Sequence, residues 1–310
     1  MPHFSLDYSQ SIESESGVFY KNVQFLGSGG DAVTYMMMAT SGPNIGVTFA
    51  VKIFKKQAAQ ERKERFIEET NVLTGLQHPC VMRVFDRGMF LTGPPNNQNE
   101  HPFVVAEYLP RTLRAALRAD SLYMPEKLSI SLQLLSALKF ISEQSPKIIH
   151  RDIKPENIFL KGRSCVLGDF GLMKLLDGTE EGDKDIFKQS MLPGMPFFYR
   201  TPDLVAYANN ESDITIATDI FQLGLVLAEL FTGWNPCKRP KDSKGIYDPV
   251  ELENIGNIRG DNGAGIASIL KRMLKINKNE RETIDPVIND VRKVFEDVCD
   301  KMTEIEGRVY

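Results

Sequence analysis

The stretch His150-Arg151-Asp152-Ile153-Lys154-Pro155-Glu156-Asn157 constrains this chain more than any other. It sets a carboxylate, an ammonium and a side-chain amide within one short segment. Pro155 has no N–H and crowds the turn before it, so no regular helix can run through. Apolar runs flank the segment, Lys147-Ile148-Ile149 before it and Ile158-Phe159-Leu160 after it. It therefore reads as a polar loop anchored at both ends in a core. Downstream, Gly168-Asp169-Phe170-Gly171 puts a second acid at the end of another apolar run, Ser164-Cys165-Val166-Leu167. Two acids and an amide, each fixed by a strand or turn, can bind a hard cation through oxygen and accept a proton from a hydroxyl.

The chain has 310 residues, enough for one large domain or two lobes. With 42% hydrophobic and 25% charged residues and a net charge of −4, it has the balance of a globular protein. That charge excludes the strongly basic signature of a nucleic-acid binder, so no nucleic-acid partner is expected. The sequence holds no apolar run of about eighteen residues, which argues against a membrane span. The four cysteines, Cys80, Cys165, Cys237 and Cys299, lack metal-ligand spacing and suit reduced thiols in the cytoplasm.

Upstream, Gly17–Leu26 reads as a first strand, and Leu26-Gly27-Ser28-Gly29-Gly30-Asp31-Ala32-Val33 follows it. Glycines let backbone N–H groups approach phosphate oxygens without a Cβ in the way, although a hairpin turn would use them equally well. Phe49-Ala50-Val51-Lys52-Ile53-Phe54 follows as a strand. Its alternation puts Ala50 and Lys52 on one face and Phe49, Val51 and Ile53 on the other. A lysine inside a β-run is costly unless its charge is met.

Gln57–Leu76 has helical character, with Phe66, Thr70, Leu73 and Leu76 near one stripe. Its charge run Glu61–Arg65 reads as a solvated face. Val81–Phe90 and Phe103–Glu107 read as strands, and Thr92–Glu100 between them reads as a loop. The rest looks helical. Leu128, Leu132, Leu135 and Leu138 recur at core spacing, and Thr218–Leu227 is apolar nearly all round.

These motifs together resemble the protein kinase family of the Ser/Thr type. The H-R-D-x-K-x-x-N loop and the D-F-G turn match in full. The resemblance implies an α+β, two-lobed fold with a small β-rich N-lobe (17–108) and a larger helical C-lobe (109–310), and the Ser-, Glu- and Gln-rich composition before it reads as a flexible N-terminal tail (1–16). It implies ATP and Mg²⁺ as cofactors, with Mn²⁺ as a substitute. Protein substrates and transient self-association for autophosphorylation are the partners it implies.

By that resemblance Asp152 is the catalytic acid–base residue and Lys154 steadies the γ-phosphate, while Asn157 and Asp169 hold metal. Leu26, Gly27, Gly29, Val33, Ala50, Lys52, Glu69, Ala106, Glu107, Leu109 and Phe159 bind nucleotide. Lys52 contacts the α- and β-phosphates and pairs with Glu69, with Glu68 one position off as the alternative. Ala106 is a small residue behind adenine, next to the hinge at Glu107–Leu109. Phe170, His150, Leu73 and Val84 form an apolar column. Asp219 holds backbone N–H groups of the catalytic loop, and Asp203 pairs with Arg281. Arg151 either receives a phosphate on the activation segment, with Ser190, Thr179 and Thr201 as candidate acceptors, or serves a structural carboxylate.

Four positions depart from the family pattern; one, Asp203, stands for a glutamate and keeps its charge with a shorter reach, and the other three bear on activity. Ala32 stands for the third glycine, Asp31 for the residue at the tip of the glycine turn, and Met195 for a threonine near the end of the activation segment. They give footing to the alternatives of an ATP-binding pseudokinase or scaffold. A small-molecule phosphotransferase of the same fold is a third reading.

Overall fold

The computed structural model describes residues 5–56, 60–176, 198–240, 247–256 and 258–307. The chain divides into two compact units, Met1–Pro110 and Arg111–Tyr310, two residues beyond the expected boundary.

The first unit is built on a six-stranded antiparallel sheet. Its strands are β1 (Ser11–Glu13), β2 (Phe19–Ser28), β3 (Ala32–Ala39), β4 (Thr48–Phe54), β5 (Val84–Thr92) and β6 (Asn99–Glu107), in the order β1-β2-β3-β4-β6-β5. One helix, α1 (Gln60–Gly75), packs against β5 and β6. Strand alternation makes the core: Val33, Tyr35 and Met37 of β3 meet Phe49, Val51 and Ile53 of β4 and Phe103 and Val105 of β6.

The stretch expected as a flexible tail is partly built into this sheet. β1 pairs with β2, and Leu6 and Ile12 are buried in the same core. The Asn22 amide donates to the Leu6 carbonyl at 2.8 Å, and the Leu6 N–H donates to the Tyr35 hydroxyl at 3.0 Å. The sheet curls far enough that the Glu15 N–H reaches the Arg87 carbonyl on β5 at 2.8 Å. The loop expected at Thr92–Glu100 shortens, because β5 runs to Thr92 and β6 starts at Asn99.

The second unit is mainly helical. It contains β7 (Arg111–Thr112), α2 (Leu113–Arg118), α3 (Met124–Ser142), β8 (Lys147–Ile149), β9 (Ile158–Lys161), β10 (Ser164–Leu167) and β11 (Lys174–Leu176). Then come α4 (Pro202–Ala208), α5 (Ile216–Thr232), α6 (Gly263–Met273) and α7 (Ile284–Gly307). The strands form two small sheets, β10-β9-β7 and β11-β8. α5 is the axis of this unit, buried along nearly its whole length, with α3 and α6 against it. Thr215 caps its start by accepting the Ala217 N–H, and Gly233 at φ 83° ends it in the left-handed conformation. No described helix is long and apolar enough to cross a membrane.

Candidate active site

In the second unit, β8 leads into the loop at His150 and β9 leaves it after a 3-10 turn at Pro155–Asn157. The Lys154 ammonium lies 2.9 and 2.8 Å from the two oxygens of Asp152. The Asn157 amide nitrogen donates to the Asp152 carbonyl at 2.9 Å and to its carboxylate at 2.8 Å. That fixes the amide and leaves the Asn157 Oδ1 as a donor oxygen for a cation. Burial pushes the Asp152 carboxyl up to about 6, against the downward pull of Lys154 and Asn157.

His150 is fully buried, and desolvation pulls its imidazole down to about 4, so the ring is neutral. With Nε2 3.1 Å from the Gly168 carbonyl, the ring proton belongs on Nε2. Nδ1 then accepts the Asp152 N–H at 3.3 Å. The ring also packs on Phe170 at 4.5 Å between centroids, which joins two members of the expected apolar column. Asp169 follows Gly168 in the left-handed region at φ 56° and is exposed.

Asp219 does what the resemblance implies. Its carboxylate accepts the backbone N–H groups of His150 at 2.7 Å and Arg151 at 2.9 Å. Burial raises this carboxyl to about 7, while those bonds and the Arg151 charge oppose the rise. The Arg151 guanidinium reaches backbone carbonyls. It is buried and donates to the Leu172 and Met173 carbonyls, the latter at 2.9 Å, just ahead of β11. The pair Asp203–Arg281 is present at 2.5 Å, with side chains 4% and 0% exposed. Thr201 is a poor phosphate acceptor: it is fully buried, and its hydroxyl caps α4 by accepting the Leu204 N–H at 3.0 Å. Ser190, Thr179 and Met195 lie outside the described residues. Phe159 sits on β9, half-buried, opposite Val166.

The first unit sets Lys52, Ala50, Ala106 and Val33 on its sheet, while Glu69 lies on α1. Thr34 pairs with Lys52, Lys52 with Val104, and Ala50 with Ala106. Directly opposed residues share a face, so Lys52, Ala50 and Ala106 line one side. Val33 does not join them. It pairs with Ile53 and is buried in the core on the opposite face, so Thr34 replaces it on the Lys52 side. Gly27, Gly29 and Gly30 have no positive φ, and a Cβ at each would meet nothing closer than 3.9 Å. The fold itself therefore does not demand glycine there. Ala32 also has no positive φ, so its methyl adds no strain. Leu26 lies half-exposed in the bulged part of β2. The Glu107 N–H is used by the Arg83 carbonyl at 3.0 Å, and Tyr108 and Leu109 follow, half-buried.

The charge run on α1 is only partly solvated: Glu61 and Glu64 are exposed, but the three basic residues between and after them are not. Arg62, Lys63 and Arg65 have side chains only 15%, 13% and 17% exposed. Arg62 meets Asp31 at 2.8 Å, Lys63 meets Glu100 at 2.7 Å, and Arg65 holds Glu69 at 2.9 Å. Lys56 also meets Asp31 at 2.7 Å, so the acid at the glycine turn is neutralised by the chain and held below the usual carboxylate range. Lys55 adds bonds to the Ser28 hydroxyl at 2.6 Å and the Gly29 carbonyl at 2.7 Å.

Two further groups carry no sequence motif. Arg114 donates to Glu156 at 2.7 Å, to the Tyr199 hydroxyl at 3.0 Å and to Glu229. Gln222 is a fully buried polar residue inside apolar α5, three positions past Asp219, and that contrast was its only signal.

A match to the protein kinase domain spans residues 20–291. The chain belongs to the protein kinase family. Over 305 residues it is 26% identical to the serine/threonine-protein kinase WNK of Caenorhabditis elegans, covering 96% of this chain and 15% of that protein. It is 27% identical over 240 residues to serine/threonine-protein kinase WNK3 of Mus musculus, covering 76% and 13%. It is 27% identical over 237 residues to serine/threonine-protein kinase WNK4 of Homo sapiens, covering 75% and 18%. The kinase domain described here thus spans less than a fifth of the length of these relatives.

Proposed function

We propose that this kinase domain transfers the γ-phosphoryl group of ATP to serine and threonine hydroxyls of protein substrates, itself included through transient self-association. The observation that carries this reading is the Asp152 carboxylate. It is buried, held by Lys154 and Asn157, and set on a loop whose backbone is tied to α5. The acceptor oxygen forms its bond to the γ-phosphorus as the bond to the bridging oxygen of ADP breaks. Asp152 orients the hydroxyl and takes its proton. Lys154, two residues on, offers its ammonium to the transferring phosphoryl, which favours Ser/Thr over Tyr acceptors. Lys52 places the α- and β-phosphates, and Glu69 positions Lys52.

Asn157 and Asp169 supply hard oxygen donors that suit Mg²⁺, which neutralises phosphate charge when bound. The balance of surface charge and the cysteine usage fit a cytoplasmic enzyme. Transfer is tested with Mg·ATP, a generic basic protein and the chain itself, by locating phosphate with mass spectrometry. Phosphoserine or phosphothreonine in wild type, lost in Asp152→Asn, is the expected result. Equal transfer by both proteins would refute the assignment of Asp152, and transfer by neither would refute the activity.

A further inference from the structure

Gln222 is a fully buried carboxamide on a helix whose buried residues are mostly apolar, with Phe221 and Leu223 on either side of it in sequence. Such a group is costly unless its hydrogen-bonding atoms are met. They are met by backbone alone. Its Oε1 accepts the Ile153 N–H at 2.9 Å, and its nitrogen donates to the Arg151 and Tyr199 carbonyls, both at 3.0 Å. Both amide hydrogens are used, so the orientation is fixed: turned over, the oxygen would face two carbonyls.

The two loop groups it holds bracket Asp152, the carbonyl of the residue before and the N–H of the residue after. This backbone has no ladder of its own to hold it. Arg151 sits in the left-handed region at φ 65°, which a β-carbon resists. Asp219 takes the N–H groups of His150 and Arg151, one helical turn earlier on α5. Gln222 takes the next carbonyl and the N–H of Ile153. Its remaining hydrogen goes to Tyr199, whose hydroxyl meets Arg114 and Glu229. One amide thus sets the direction of the Asp152 backbone relative to the chain that follows the activation segment.

We infer that Gln222 is a positioning residue for phosphoryl transfer, fixing Asp152 against the Tyr199 backbone. The inference rests on Asp152 being the residue that takes the acceptor proton. A misplacement of the reacting group by about an ångström can cost roughly a hundredfold in rate. A group that only fills space would cost stability without that loss.

The test uses the full chain, Mg·ATP and a generic basic protein, with Gln222→Leu, Gln222→Glu, Asp152→Asn and Leu270→Ala. Leu270 is buried on α6 and makes none of these bonds, so its variant reports the effect of lost stability alone. Gln222→Glu keeps the shape and the acceptor for Ile153 but loses the fixed pair of N–H donors, and it carries the test if Gln222→Leu does not fold. Expected is a fall in kcat of roughly 10- to 100-fold for both Gln222 variants, with KM for ATP within about twofold. Leu270→Ala should lose thermal stability and keep kcat. Wild-type kcat in a folded Gln222→Glu overturns the inference, as does an equal loss of kcat in Leu270→Ala. Asp152→Asn separates the two readings. If it is inactive while the Gln222 variants are normal, only the positioning role fails; if it is fully active, the role of Asp152 fails and the inference with it.

Discussion

Arg281→Met removes a guanidinium that meets four partners. They are Asp203 at 2.5 Å and the carbonyls of Lys275 at 3.0 Å, Ile276 at 3.2 Å and Ala217 at 2.6 Å. Its side chain is 0% exposed and that of Asp203 is 4% exposed, so water cannot replace what is lost. Leaving one buried charge without its partner costs about 3–5 kcal/mol, which already contains most of the price of the stranded carbonyls. For a unit of this size each kcal/mol moves the melting temperature by about 2–4 °C, so the second unit should melt roughly 8–15 °C lower. Thermal unfolding followed by circular dichroism reads this directly, with urea midpoints as a second measure. Because the cost comes from the orphaned carboxylate, Arg281→Met combined with Asp203→Leu should recover part of the loss. A shift below about 3 °C, or a double variant as unstable as the two single losses added, would refute the reasoning.

Other consequences can be measured separately. Asp152 must be deprotonated to accept a proton, so kcat/KM should be intact above about 6 and fall tenfold per unit as pH drops below it; a profile flat through that region would contradict the raised carboxyl. Val33→Ala should cost the first unit about 1–2 kcal/mol and leave KM for ATP unchanged. Thr34→Phe should raise KM for ATP roughly tenfold, and the reverse pattern would return Val33 to the nucleotide side. Asp31→Asn leaves Lys56 and Arg62 uncompensated beside the glycine turn, so KM for ATP should fall roughly two- to fivefold; a rise in steady-state KM would show that tying the turn to α1 matters more than charge.

The catalytic loop was legible because its chemistry is local: Asp152, Lys154 and Asn157 meet one another within a single turn. Asp219 and Arg281 were legible through their order along the chain, although their partners lie 69 and 78 residues away. What stayed hidden depended on distant partners with no pattern of their own. Arg62 and Lys63 look solvated until Asp31 and Glu100 come in from 31 and 37 residues away. The N-terminal segment reads as a tail because, among its described residues, only Leu6 and Ile12 enter the apolar core from a polar stretch. Val33 was misassigned by one residue, and a one-residue slip turns a strand side chain to the other face. The pairing of β2 with β3 is interrupted at two places, where counting along the sequence loses the face. Gln222 declares itself only when the backbone of another segment is brought to it.

Helix α1 fully buries only Glu69 and Thr70 among its residues; Phe66 packs on Phe54 of β4 at 5.7 Å between ring centroids, and Arg62 and Lys63 reach Asp31 and Glu100. Ion pairs at such partly exposed positions contribute little each. The free energy needed to lift this helix away from the sheet is therefore far below that of opening the sheet itself. Its amide hydrogens should exchange with deuterated solvent by local opening, well ahead of those in β3 and β4. The element that carries Glu69 should therefore open at a lower cost than the central strands it rests on.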